Sequence, residues 1–353
     1  MGAPASDWQA SVDQLLAPFD RPGMPGLAVG VLRDGELVYA RGAGSANLET
    51  GEPITAQSNF RLASVTKQLT AAAILRLVED GRLSLEDRLG DVLPGFTGDA
   101  HRIGIRQLLQ HRSGLLDYED LLAPGHEPQL QERDVLAMLQ RQPGLMHAPG
   151  ARFHYSNSGY VLLGLIIEQR ASLSFGDYLQ QRLFAPLQMH GSRAYDGEPG
   201  SIGHRAYGYT VSDGTAKRTD QAATSALLGD GGVYSSLQDM ARWIAGIERG
   251  TALAPASLQL MFTPVQDPET PGVGYGLGWF IDAINGRRRH WHTGSSIGFR
   301  HKLLHFPDLR LAVIVLGNMH RSRTPDLADQ IAGLVDADLR IDPASAPPRP
   351  VTR

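Results

Sequence analysis

Ser64-Val65-Thr66-Lys67 sets a hydroxyl and an amine three residues apart at the start of a stretch that reads as a helix. Residues 63–80 are rich in helix formers (Leu69, Ala71, Ala72, Ala73, Leu75, Leu77, Glu79), hold no proline and stop at Gly81, a suitable C-terminal cap. Positions i and i+3 share a helix face, so Lys67 can reach back to the Ser64 hydroxyl. A serine hydroxyl is a poor nucleophile until a neighbour accepts its proton, and an adjacent amine held neutral can do that. The helix N-terminus adds N–H donors and a positive dipole end, useful to a developing oxyanion. Taken alone, the same residues also fit a serine that caps a helix and a lysine exposed one turn on.

Two further clusters give the pair company. Tyr155-Ser156-Asn157 follows the turn-rich segment 149–154 and precedes an apolar helical run, 160–167. His292-Thr293-Gly294-Ser295 sits where strand-like sequence meets a glycine. In this order the three elements resemble the S-x-x-K, Y-x-N and K/H-T-G signature of the penicillin-binding-protein and serine β-lactamase superfamily, nearest its class C β-lactamases, DD-peptidases and related esterases. Leu108-Leu109-Gln110-His111-Arg112-Ser113-Gly114-Leu115 is similar to the family's L-L-x-H-x-S-G-L segment. Gly231-Gly232-Val233-Tyr234-Ser235-Ser236, followed by Asp239, is similar to its G-G-x-x-S-x-x-D segment. The likeness covers about 26–318, most of the chain.

The resemblance implies that Ser64 is the nucleophile of an acyl-enzyme, Lys67 its hydrogen-bonded partner and Tyr155 the proton shuttle. A free phenolate is scarce at neutral pH, so Lys67 and Tyr155 are expected to titrate as one coupled unit. Asn157 offers both a donor and an acceptor, suited to fixing Lys67 and a substrate amide. The backbone N–H groups of Ser64 and Ser295 would form the oxyanion hole, with Gly294 leaving room for substrate along the strand. His292 stands where typical β-lactamases have a fixed lysine cation. With an ordinary pKa about 6.5 it would be mostly neutral at pH 7.5, which weakens the case for efficient β-lactam hydrolysis. Thr293 and Ser295, with an arginine such as Arg300, could still bind a terminal carboxylate. His111 and Ser113 read as loop-fixing hydrogen-bond partners. His290 and His292 share a strand face, but no third ligand is near in sequence, so no metal or other cofactor is expected.

Elements at both ends of the chain must carry these groups. Residues 8–19 have helical spacing of Trp8, Val12, Leu15, Leu16 and Phe19. Strands are expected at 27–33 and 37–42, joined at Asp34-Gly35, and again at 274–282, 288–292, 298–306 and 309–316. Gly274-Tyr275-Gly276-Leu277-Gly278 reads as strand packing, since no helix follows it as a dinucleotide loop would require. Between these groups lie helices at 135–140, 160–170 and 175–183, and 326–339 reads as a closing helix. The expected fold class is α/β (α+β), the β-lactamase/transpeptidase-like fold: an antiparallel sheet flanked by helices with an inserted, mostly helical domain. One catalytic domain over 1–340 would combine a sheet region, about 8–82 plus 225–340, with a helical region, about 83–224. Residues 341–353 read as a flexible tail.

The 353 residues, 42% hydrophobic and 20% charged, can bury a sizeable core. A net charge of -4 argues against nucleic-acid or anionic-membrane binding, leaving a small molecule or short peptide as the expected partner. Without cysteine there is no disulfide framework or thiolate metal site. No run approaches the length of a membrane span, so a transmembrane segment is not expected. The N-terminus lacks a signal core, and cell-wall substrates would favour a periplasmic or secreted location, with the cytoplasm as the alternative. The reading is a serine hydrolase acting through an acyl-enzyme on D-amino-acid peptides or small esters. The alternatives are a class C-like β-lactamase and a catalytically idle penicillin- or peptidoglycan-binding protein.

Overall fold

The structure, a computed structural model, describes residues 7–123, 125–195, 197, 200–266, 270–320 and 324–341. The tail expected at 341–353 lies outside them except for Ile341.

Eight strands form one antiparallel sheet in the order Val265–Gln266, Gly274–Tyr275, Phe280–Ile284, Arg287–Ser296, Phe299–Phe306, Leu311–Gly317, Leu27–Arg33, Glu36–Ala43. Leu27–Arg33 runs beside Leu311–Gly317, Leu27 opposite Gly317 and Arg33 opposite Leu311, so both ends of the chain build one sheet. Both strands are buried on two faces, which explains their nearly unbroken apolar sequences. Leu27, Val29, Val31, Val313 and Val315 pack with Val12, Leu16, Leu327 and Ile331 of the terminal helices Asp7–Leu16 and Thr324–Val335. Ala28, Leu32, Ala312, Ile314 and Leu316 belong to the other, larger core. Glu36–Ala43, at the sheet edge, alternates exposed with half-buried residues instead.

That larger core continues from the sheet through the helix Thr66–Glu79 into Asn157–Ala171 and on to Val135, Leu139, Phe175 and Leu179. Thr66–Glu79 is buried along nearly its whole length, a central rod rather than an amphipathic surface helix. It begins one turn later than the expected start, because Ala63–Val65 forms a 3-10 turn, and it ends at Gly81, whose left-handed φ of 67° closes the cap. The strand expected over 274–282 is broken into two. Gly278, at φ 81°, turns the chain against the backbone of Lys67, where a Cβ would lie 2.7 Å from the Lys67 carbonyl oxygen.

Candidate active site

Ser64 follows directly on Ala63, a non-glycine residue held at φ 49°, a left-handed conformation that only well-determined surroundings maintain. Those surroundings are two strands. The Leu62 N–H donates to the Val233 carbonyl at 2.8 Å, and His301 Nε2 donates to the Arg61 carbonyl at 2.7 Å. Lys67 is fully buried one turn on. Its ammonium donates to Ser64 Oγ at 3.2 Å, Asn157 Oδ1 at 2.7 Å and the Asp230 carbonyl at 2.9 Å, using all three donors. The i, i+3 spacing therefore does bring the amine to the hydroxyl.

Asn157 opens the helix Asn157–Ala171. Its N–H donates to Asp117 Oδ2 at 2.7 Å, so a carboxylate from a distant loop caps this helix in place of the Ser156 side chain. Its side chain accepts from Lys67 and donates to Glu119 Oε1 at 3.2 Å. Tyr155 packs its ring against His111, centroids 4.2 Å apart, and Phe280, 6.2 Å apart at 11°. Lys67 Nζ stands 5.1 Å from the Tyr155 ring centroid. The Tyr155 hydroxyl has no hydrogen-bond partner among the described residues.

The third cluster lies on the long strand Arg287–Ser296, which runs past the end of Phe280–Ile284 while staying paired with Phe299–Phe306 as far as Ser296. A Cβ on Gly294 would meet the Leu62 carbonyl oxygen at 2.3 Å, so this glycine is needed for the segment leading to Ser64 to pass. His292 is fully buried. Its Nδ1 faces the Thr293 carbonyl at 2.7 Å and must donate, so Nε2 accepts from the Tyr275 hydroxyl at 3.1 Å. Burial, aided by nearby Lys67, lowers it to about 3. It is a neutral ring rather than a group that titrates near its ordinary value. Thr293 and Ser295 are half-buried beside it, and Arg300 donates to the Ser296 and Phe299 carbonyls, which ties it to the turn between strands. His290 stacks on Phe262 at 4.1 Å. Among the described residues no group of three His, Asp or Glu is placed to hold a metal ion.

Ser64, Asn157 and Ser295 line one cavity of about 220 Å³. Sequence reasoning missed its other walls: Arg61, Tyr118, Glu119, Thr224, Ser225 and Asp230. Asp117 to Asp120 is an acidic run just beyond the L-L-x-H-x-S-G-L segment, and Asp230 directly precedes Gly231, but nothing in either pattern marks a cavity wall. Tyr118 Oη donates to Asp230 Oδ2 at 3.0 Å. Burial, with the negative charges of Asp117 and Asp230, pushes Glu119 up to about 7, and Lys67 opposes the rise. Burial likewise raises Asp230, against the pull of Lys67 and Arg61.

A mixed fold with its antiparallel sheet, and a buried Ser–Lys pair at the cleft of that sheet, define the class as the penicillin-recognising serine hydrolase superfamily. The chain belongs to the Beta-lactamase family, whose model matches residues 12–336. It is 31% identical over 300 residues to penicillin-binding protein 4* of Bacillus subtilis (strain 168), covering 80% of this chain and 66% of that protein. It is 32% identical over 329 residues to a D-aminopeptidase of Gluconobacter oxydans (strain 621H), covering 92% and 60%. Among solved structures, the octameric penicillin-binding protein homologue from Pyrococcus abyssi superposes with a TM-score of 0.81 at 26% identity, over 94% of this chain and 77% of that one. The chain thus spans less than two thirds of the length of the curated relatives it matches. Among the described residues no helix is long and apolar enough to cross a membrane.

Proposed function

We propose that this chain is a serine hydrolase that acylates Ser64 with amides or esters of D-amino acids bearing a free α-amino group. Ser64 Oγ attacks the substrate carbonyl while its proton passes to the Lys67–Tyr155 unit in the form that has already lost one proton, with either the Lys67 amine neutral or Tyr155 a phenolate. The N–H groups of Ser64 and Ser295 hold the oxyanion, and the proton goes on to the departing amine or alcohol. Water then releases the acid by the reverse path. A D-aminopeptidase among the relatives supports the substrate class. The observation that carries it is the acidic wall: Glu119 and Asp230 line the cavity that holds Ser64. A carboxylate there would draw a substrate ammonium within reach of the nucleophile. The β-lactamase alternative calls for a fixed cation at His292, and that ring is neutral. Substrates of this class would place the enzyme's work in the periplasm or outside the cell, where D-residue peptides arise from cell wall.

Turnover of D-phenylalaninamide, its N-acetyl derivative and the L-enantiomer tests the reading. The free D-amine should be preferred, and Glu119→Gln should cost about tenfold or more in kcat/KM for it alone. Equal turnover of the acetylated amide would sink the amine-recognition reading. Failure of a fluorophosphonate to label Ser64 would sink the hydrolase itself and favour an idle binding protein.

A further inference from the structure

We infer that His111 is a positioning residue for Tyr155, holding the backbone on both sides of it and packing against its ring; this rests on the reading of Tyr155 as the proton carrier. His111 lies two residues past the helix Ile105–Leu109, at a left-handed φ of 54°. That bend turns its carbonyl and its ring toward the same stretch of chain. The carbonyl accepts the His154 N–H at 2.7 Å, and Nδ1 accepts the Ser156 N–H at 3.2 Å. These are the two amides flanking Tyr155. The imidazole ring sits 4.2 Å from the Tyr155 ring, with Tyr160 at 5.1 Å, Tyr275 at 4.7 Å and Phe153 at 5.8 Å completing the enclosure.

The chemistry of the ring follows from these partners. A backbone N–H only donates, so Nδ1 carries a lone pair and the proton sits on Nε2. Burial, then the charge of Lys67, pushes His111 well below its ordinary value, so the acceptor persists through the working pH range. Nε2 has no partner among the described residues, which carries a cost in a buried site. A phenyl ring would fill the same space without that cost. What only the imidazole supplies is the acceptor for Ser156, and with it the placement of Tyr155 relative to Ser64 and Lys67.

A double-mutant cycle tests this. His111→Phe keeps a ring and removes the acceptor, while His111→Asn keeps an acceptor near the Nδ1 position and removes the ring. Each is made alone and with Tyr155→Phe, and kcat and KM for p-nitrophenyl butyrate are followed from pH 5.5 to 9 alongside thermal melts. Each single variant should lower kcat by about 10- to 100-fold with KM within about threefold. Each should also shift the pH profile, and add less than about twofold to the loss in the Tyr155→Phe background. Wild-type kcat in both variants, or losses that multiply in full without Tyr155's hydroxyl, would overturn the inference. So would failure of both variants to fold, which would assign His111 to stability alone. Wild-type kcat in Tyr155→Phe itself would instead overturn the reading of Tyr155, and this inference with it.

Discussion

Glu119 is raised to about 7 by burial and by the carboxylates of Asp117 and Asp230, so its charge changes within the range where activity is measured. If it receives a substrate ammonium, kcat/KM for a D-amino-acid amide should rise as pH climbs through about 7, because the carboxylate appears there. A neutral ester should show no such limb, and Glu119→Gln should abolish it. The Lys67 ammonium spends its donors on Ser64, Asn157 and Asp230, so it has no freedom to act apart from its surroundings. Lys67→Ala and Tyr155→Phe should each lower kcat by about 10²-fold or more, and the double variant should be far less than multiplicatively worse. A strictly multiplicative result would show two independent groups. His292→Lys would bury an ammonium among Tyr155, Tyr275 and Phe280, where the native ring is neutral. Thermal or urea unfolding should show a loss of about 2 kcal/mol or more, with no gain in nitrocefin hydrolysis.

At the scale of elements, Ser64 is held by close approach of backbones. Leu62 passes against Gly294 on the long strand, and Lys67 against Gly278 in the preceding turn. Gly294→Ala would place a methyl 2.3 Å from the Leu62 carbonyl oxygen, forcing the strand away from the Ser64 turn. Displacing the N–H of Ser295 from that of Ser64 should lower kcat by about 10²-fold, as expected for a lost oxyanion donor. Acylation rates of Ser64 with an activated ester measure it directly, and wild-type acylation in Gly294→Ala would show that the strand can adapt.

The whole molecule carries a pH signature. His290 and His292 are lowered to about 3 and His301 to about 4, chiefly by burial. Their folded values lie below the unfolded 6.5, so the unfolded chain binds more protons in acid. The stability associated with these neutral rings is intact above pH 6.5 and lost as pH falls toward their folded values. Glu119 and Glu132, both raised to about 7, act in the opposite sense: their contribution is full below 4.5 and lost as pH rises through 7. Between 6.5 and 4.5 the two sets largely oppose each other. Below about 4.5 the histidines prevail, joined by Asp13 and Glu79, whose carboxyls are held below their ordinary range, so stability should fall steadily as the pH drops. Urea titrations at pH 7, 5 and 4 measure this, and a flat profile down to pH 4 would show that the buried histidines accept protons without unfolding.

The sequence by itself determined the groups whose partners are local or whose pattern is periodic. Ser64 and Lys67 meet because i and i+3 share a helix face, and Gly81 ends that helix because a left-handed cap favours glycine. The apolar runs 27–33 and 309–316 are legible as strands, though their pairing spans almost the entire chain. Tyr155, Asn157 and Ser295 were found by likeness to a family signature, since no local rule brings them to Ser64. Only the tertiary structure decided the rest. Glu119 and Asp230 approach Lys67 from separate loops, and His292 is neutral because it is buried. Gly294 lets the Leu62 segment pass close to the long strand. Burial and electrostatic neighbourhood are set by what the remainder of the chain places within a few ångströms, and spacing along the sequence does not contain that distance.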